Sequence, residues 1–223
     1  MNWEHLDNPV WYALWDVQDQ QAALFPHLQA YLPEYADFAA SLYPNKIANS
    51  LEIYSQLSPH FYFVGDKPSL PKSLSIKKEL PCDQMVWKGA QPFDNIDPVV
   101  TLLNDSNRKE IVELISLVQP GYIKEQTPDL GNYYGIFDQG KLVSVGGQRM
   151  QTNNFIEVSG CVTHPDYQKR GLQRKIIQAV VNDILLKDKI PFLHVLSANT
   201  GAIELYRQSG FEFRRQISFW EIQ

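Results

Sequence analysis

The sequence predicts an α/β protein built on a mixed sheet. Three observations carry that expectation. Proline and glycine divide the 223 residues: ten of the 14 prolines lie at or before Pro98, and ten of the 12 glycines lie after Pro120. The first part therefore reads as short helices broken by prolines, and the second as strands and turns. Two segments, 107–118 and 172–186, space their apolar residues as helices do. Around them lie runs rich in β-branched and aromatic residues. The order over the C-terminal part is helix, hairpin, strand, helix, strand, helix, strand.

Taken in order, Asn8 and Pro9 resemble a helix cap followed by proline at the first helical position. Segment 46–57 has helix-like apolar spacing, and 60–64 (HFYFV) reads as a strand. The stretch 65–73 is a loop, 75–87 holds one or two strands, and 91–98 is a second loop. That second loop marks a boundary between 1–98, a divergent part of helices and a few strands, and 99–223. In 107–118, Asn107 and Glu110 have capping-box spacing, while Ile111, Leu114, Ile115 and Val118 form one face. Pro120 and Gly121 stop that helix. Segment 133–145 (YYGIFDQGKLVSV) reads strand, turn, strand, with the turn at Asp138, Gln139 and Gly140. Strands follow at 155–163, 192–196 and 211–220, with helices at 172–186 and 202–208.

Composition narrows the function. Hydrophobic residues are 44% and charged residues 20%, which fits a folded globular chain and argues against disorder. No apolar run reaches 18 residues, so no membrane-spanning helix is expected. The aromatic, acidic start lacks the basic region of a signal peptide. Two cysteines, Cys82 and Cys161, make no CxxC pair and no disulfide framework, which points to the reducing cytoplasm. No HExxH or paired Cys/His spacing is present, so no metal is expected. The net charge of −5 divides into −8 over 1–130 and +3 over 131–223. Neither part has the basic patch of a nucleic-acid binder. A mildly basic second part suits a small anionic ligand, and chance surface composition explains it equally well.

Two candidate sites fail on context. The segment 135–141 (GIFDQGK) approaches a phosphate-binding loop, but Leu142 stands where a magnesium-binding Ser or Thr belongs, and the surroundings alternate like a hairpin. Cys161 lies mid-strand with no base near it in sequence, so it reads as a small core residue, not a nucleophile. His164 and His194 read as structural. The informative stretch is 162–177 (VTHPDYQKRGLQRKII), where a strand gives way to a short polar loop and Gly171 opens a helix. The free N–H groups of the helix's first turn, its dipole, and Lys169, Arg170, Arg174 and Lys175 together favour an anion. A plain strand-to-helix connection on a solvated face fits the same residues.

Gln168, Lys169, Arg170, Gly171, Leu172 and Gln173 resemble motif A of the GNAT superfamily of acetyl-CoA-dependent N-acetyltransferases, Gln/Arg-x-x-Gly-x-Gly/Ala. Gln168 and Gly171 match, and Gln173 departs from Gly or Ala. Downstream, Asn199, Ala202, Leu205, Tyr206, Gly210 and Phe211 match motif B, N-x-x-A-x-x-L-Y-x-x-x-G-F. Taken singly, that second motif also reads as a helix with core Ala, Leu and Tyr and Gly210 past its end. The resemblance covers 121–219. It looks closest to the branch related to glycine N-acyltransferases, whose N-terminal half is divergent.

This resemblance implies a GNAT-type mixed sheet, splayed open beside the strand before motif A and flanked by helices. It implies an acyltransferase that moves an acetyl or other short acyl group from acyl-CoA directly to a small-molecule amine. Cys161, Val162 and Thr163 should offer backbone groups to the pantetheine arm. Gln168, Lys169, Arg170, Gly171, Leu172, Gln173 and Arg174 should cradle the pyrophosphate. Asn199 should hold the cofactor or the edge of the opened sheet. Tyr206 matches the family's general acid. Glu157, on the strand before motif A, is the candidate base, with burial expected to raise its pKa toward a useful value; an exposed, idle Glu fits the alternation equally. A non-catalytic acyl-CoA-binding module of the same fold is the rival, kept alive by Gln173. Neither nucleic acid nor membrane is expected as a partner.

Overall fold

Local sequence starts the first helix. In the computed structural model, which describes residues 2–223, the Asn8 side chain accepts a hydrogen bond from the Trp11 N–H at 3.3 Å. Pro9 then takes the first position of α1 (Pro9–Asp16). Three short strands follow where proline-broken helices are expected: β1 (Ala22–Phe25), β2 (Leu28–Tyr31) and β3 (Phe38–Ala40). β2 and β3 are buried at every position. Strands covered on both faces lack the two-residue alternation that marks a strand in sequence. Next come α2 (Ala48–Leu57), β4 (Phe61–Val64) and β5 (Ile76–Trp87), the last a single strand of 12 residues.

In the second part the elements are β6 (Thr101–Leu102), α3 (Arg108–Val118), β7 (Tyr133–Asp138), β8 (Lys141–Gln151) and β9 (Phe155–Thr163). They continue with α4 (Leu172–Leu185), β10 (Ile190–Leu196), α5 (Thr200–Gln208) and β11 (Phe211–Ile222). The cap before α3 falls three residues earlier than expected. Asn104 accepts from the Ser106 N–H at 2.9 Å, and Asn107 reaches back to the Asn104 N–H at 3.2 Å. Asn107 also donates to Glu110 at 3.0 Å, so the expected pair exists but does not cap the helix. The 135–141 segment is a hairpin. Asp138 pairs with Lys141, and Gln139 and Gly140 between them have φ of 48° and 79°, the signs of a type I′ turn.

The 11 strands among the described residues join one sheet in the order β1-β2-β3-β4-β11-β5-β10-β9-β8-β7-β6. β3 runs parallel to β4 and β10 parallel to β9, while the other pairs are antiparallel. β11 lies between β4 and β5, so the parts 1–98 and 99–223 share the sheet. Helices cover both faces. Gly146 and Gly147 are neighbours in β8 and face opposite ways. A Cβ on Gly146 would meet Ile176 of α4, and one on Gly147 would meet the Tyr133 ring. α4 thus covers one face, where Ile176, Ile177, Val180, Val181 and Ile184 are fully buried. Each such side chain contributes roughly 1.5–3 kcal/mol by leaving water. α3 packs on the other face, with Ile111, Leu114 and Ile115 around Tyr133. No helix among the described residues is long and apolar enough to cross a membrane.

The Gly147 contact gives a test of this packing. A Cβ there would stand 2.5 Å from the ring of Tyr133, which is itself buried. Gly147→Ala should destabilise the fold by about 1–3 kcal/mol. Thermal unfolding checks this, and an unchanged midpoint would show that the Tyr133 ring moves aside freely.

Candidate active site

The site begins where the sheet divides. β9 and β10 pair only at Phe155 with Ile190, Ile156 with Pro191 and Glu157 with Phe192. Beyond that point β10 stays on β5 as far as Leu196, paired with Cys82. β9 stays on β8 as far as Thr163, paired with Ser144. A gap opens between them, and the backbone groups of 158–163 on that side have no strand partner. Gly160 sharpens the divergence. Gly147 pairs with Ser159 and Val145 with Val162, so Gly160 and Cys161 stand opposite Gly146 alone. Gly160 has φ of 63°. This is a β-bulge with glycine in the left-handed region, which bends the strand and re-aims its backbone.

A cavity of about 430 Å³ fills the gap. Val158, Ser159, Gly160 and Cys161 of β9 form one wall, and His194, Val195 and Leu196 of β10 another. Asn199, Ala202 and Tyr206 close one end. Phe38, Leu80, Phe219 and Arg149 line it too, as do Ile115, Tyr122 and Tyr133 from α3 and beyond. The Asn199 side chain accepts from the Ala202 N–H at 3.2 Å, so it caps α5 at the cavity wall. α5 thereby turns Tyr206 inward, beside the Cys161 thiol. Burial, with Cys161 beside it, raises the Tyr206 pKa well above 10. Burial likewise pushes the Cys161 thiol up to about 12, with Tyr206 and Gln173 beside it pulling the other way. Both stay protonated at neutral pH. A thiol so held is a poor nucleophile.

The loop after β9 leads to the start of α4. Gly171 has φ of 72°, and nothing lies within 4 Å of where its Cβ would be. No side chain caps α4, so the first-turn N–H groups face outward without a partner in the helix. Gln168, Lys169 and Arg170 are exposed. Two nearby cations are engaged elsewhere: Lys175 pairs with Asp97 at 2.8 Å, and Arg174 bonds Gln208. Gln173 does not cover the loop. Its amide oxygen accepts from Thr163 at 3.1 Å and Ser144 at 3.3 Å, and its nitrogen donates to the Val145 carbonyl at 3.4 Å. The surroundings of Gly171 fit an anionic group: open space, free donors and a helix dipole.

Glu157 sits at the apex of the gap and is 1% exposed. The register between β8 and β9 slips here. Gln148 pairs with Val158 and Gln151 with Ile156, so Arg149 and Met150 stand opposite Glu157. That bulge brings the Arg149 fork onto the carboxylate, with Nε donating to Oε2 at 2.8 Å and Nη2 to Oε1 at 2.9 Å. His194 Nδ1 reaches Oε1 at 2.8 Å. The Gln84 amide nitrogen donates to the Leu6 carbonyl at 2.7 Å and to His194 Nε2 at 3.1 Å. His194 Nε2 therefore accepts, and the ring proton sits on Nδ1, facing Glu157. Burial raises the Glu157 pKa, but Arg149 and His194 outweigh it and hold the carboxyl at about 2. The direction is opposite to the expected rise. A base of such low pKa removes protons poorly.

The structure thus brings Cys161, Asn199, Tyr206 and the start of the 158–163 edge to one cavity. Gln168 to Arg174 form the loop and helix start beyond it. Glu157 does not line the cavity; its partners Arg149 and His194 do. Neither partner stood out in sequence, where Arg149 is an isolated cation in VGGQRMQ and His194 a lone polar residue in FLHVL.

Comparisons with known proteins agree with this fold. The model of the acetyltransferase (GNAT) family matches residues 100–211. No curated protein matches the sequence. A GNAT-family structure from Novosphingobium aromaticivorans is similar at a TM-score of 0.88 and 29% identity, covering 97% of each chain. That likeness extends through the first 98 residues. A GCN5-related N-acetyltransferase-like protein from Streptococcus suis has a TM-score of 0.63 at 14% identity, covering 100% of this chain and 94% of its own. A GCN5-related N-acetyltransferase from Kribbella flavida has a TM-score of 0.59 at 15% identity, covering 92% of each chain. These two share the fold.

The Glu157 cluster predicts a pH dependence of stability. Its folded pKa of about 2 lies below the unfolded value of 4.5. The stabilisation is therefore fully present above pH 4.5 and is lost as pH falls toward 2. Glu157→Gln should remove that acid-limb slope. It should also lower stability at pH 7 by about 3–5 kcal/mol, because Arg149 is left buried and unpaired. Thermal unfolding from pH 2 to 7 checks both, and parallel curves for the two proteins would refute the assignment.

Proposed function

Because the chain belongs to the acetyltransferase (GNAT) family, we propose that it moves an acetyl or other short acyl group from acyl-CoA directly to the amine of a small molecule. The observation that carries this reading is the split between β9 and β10, with Tyr206 on its wall and an uncapped helix start beyond it. In this proposal the open backbone edge at Cys161, Val162 and Thr163 takes the pantetheine arm. The N–H groups from Gln168 to Arg174 take the pyrophosphate, with Gly171 giving it close approach. Tyr206 holds its proton at neutral pH and gives it to the departing thiolate. Asn199 keeps α5, and so Tyr206, in place.

Glu157 takes a different role from that of a free base. It fixes the Arg149 fork and the His194 ring at the cavity wall, and the acceptor's proton leaves through water. The reading includes the finer kinship to the glycine N-acyltransferase-like branch and a cytoplasmic setting, which the unpaired Cys82 and Cys161 support.

Two substitutions test the assignment. Gly171→Asp puts a carboxylate where phosphates must approach, in open space at an exposed position. Acetyl-CoA binding by calorimetry should vanish while the circular dichroism of the fold is kept. Undiminished affinity in the folded variant would refute the phosphate site. Tyr206→Phe keeps the ring and loses only the hydroxyl. Turnover, followed by thiol release with an accepted amine, should fall on the order of 10²–10⁴-fold with acetyl-CoA affinity near normal. Turnover within about twofold of the parent, against that expectation, would make Tyr206 a packing residue.

A further inference from the structure

An arginine side chain offers five N–H donors in a planar fork. In Arg149, Nε and Nη2 are used on Glu157. Nη1 has no hydrogen-bond partner among the described residues, although the side chain is only 12% exposed and lines the cavity. A donor held in a cavity wall costs free energy unless water or a ligand accepts from it. Tyr133 lines the same cavity, and its hydroxyl also has no hydrogen-bond partner among the described residues.

The rest of the lining defines what accepts. Among the described residues no Asp, Glu or Lys lines the cavity, and Arg149 is the one formally charged side chain there. A polycationic acceptor would find no counter-charge. The cavity wall carries apolar and aromatic groups, among them Phe38, Leu80, Tyr122 and Phe219, beside neutral polar ones such as Gln119 and Thr127. The Phe38 ring lies 4.6 Å from the guanidinium carbon. Glu157 already offsets the net charge of Arg149, so an incoming group is held by directed N–H bonds at short range. A planar carboxylate suits the fork.

We infer that the acceptor carries a carboxylate on an apolar, aromatic-sized body beside its amine, and that Arg149 is the residue that selects it. The amine rests on the acyl-transfer reading, whereas the carboxylate rests on the cavity alone. Binding separates the two. The probes are N-acetyl-L-phenylalanine and N-acetylphenethylamine, which differ by one carboxylate. Calorimetry on the full chain should give about tenfold or more tighter binding of the carboxylated probe, as for a hydrogen bond to a charged group. Arg149→Met combined with Glu157→Gln removes both charges and leaves neither orphaned. It should erase the preference and keep binding of the neutral probe.

Equal affinities in the parent, failure of both probes to bind, or a preference that survives in the double variant would overturn the inference. If the double variant does not fold, Arg149→Lys decides. Lysine keeps the charge toward Glu157 but loses the fork, so the preference should drop severalfold, and a preference of full size overturns the inference. Thiol release from acetyl-CoA with phenylalanine and with phenethylamine is scored separately. No release with either sinks acyl transfer to such amines, while the binding ratio still judges the carboxylate site.

Discussion

The Arg149–Glu157 ion pair stands where the sheet divides, and the cavity depends on it. A carboxylate that is 1% exposed is costly unless its oxygens are fully matched. Here a two-pronged arginine and the His194 ring supply that match. The pair is possible only because β8 carries one extra residue opposite Glu157. A regular ladder would set a single β8 residue there. Two bulges therefore bracket the gap. One ties β8 to β9 at the apex, and the other, at Gly160 and Cys161, bends β9 beyond it. The gap leaves backbone donors and acceptors of 158–163 without a strand partner, and such groups in a protein interior need a substitute. A ligand chain bearing amides can serve as that substitute, which is why the split and the proposed cofactor belong together.

Residues 1–98 are part of this machinery. Phe38 of β3 lies under the Arg149 guanidinium. Gln84 of β5 fixes the His194 tautomer, and its own oxygen accepts from Arg214 at 2.9 Å. Gln18 donates to the Arg149 carbonyl at 2.7 Å and accepts from the Tyr31 hydroxyl at 2.6 Å. These groups satisfy one another in sequence, from Tyr31 through Gln18 to the Arg149 backbone. A network of this kind is worth keeping only when every member is satisfied. The first part thus supplies both a wall of the cavity and hydrogen bonds that hold the Arg149 backbone and the His194 ring still.

What was legible in the sequence was local. The apolar face of α4, the turn at Gln139 and Gly140, and the Asn8 cap each follow from residues within a few positions of one another. Glu157 was legible as a candidate because it is a carboxylate on the strand leading into motif A. Its state was not. The ion pair comes from a register slip between β8 and β9, and nothing in KLVSVGGQRMQ announces a slip of one residue. Gly160 was the available signal for the other bulge, since glycine inside a strand often marks one. β1, β2 and β3 stayed hidden because they are short, and β2 and β3 are also covered on both faces. Arg149 and His194 become functional candidates only once β3, β5, β8 and β10 are assembled around them.

Gln173 shows how a departure from a motif is absorbed. Where the family pattern has glycine or alanine, a long polar side chain at the start of α4 must go somewhere. Over the loop it would crowd whatever the helix N-terminus binds. Instead it turns into the sheet, where Thr163 and Ser144 donate to its oxygen and the Val145 carbonyl accepts from its nitrogen. Gly146 makes the room, since a Cβ there would stand 3.0 Å from the Cys161 sulfur and 3.4 Å from the Gln173 nitrogen. The substitution therefore links the start of α4 to β8 and β9 and leaves the space at Gly171 open. Gln173 and Cys161 both pack against Gly146, and Cys161 in turn touches Tyr206. The open start of α4 and the Tyr206 hydroxyl are in this way set by one short run of packed side chains.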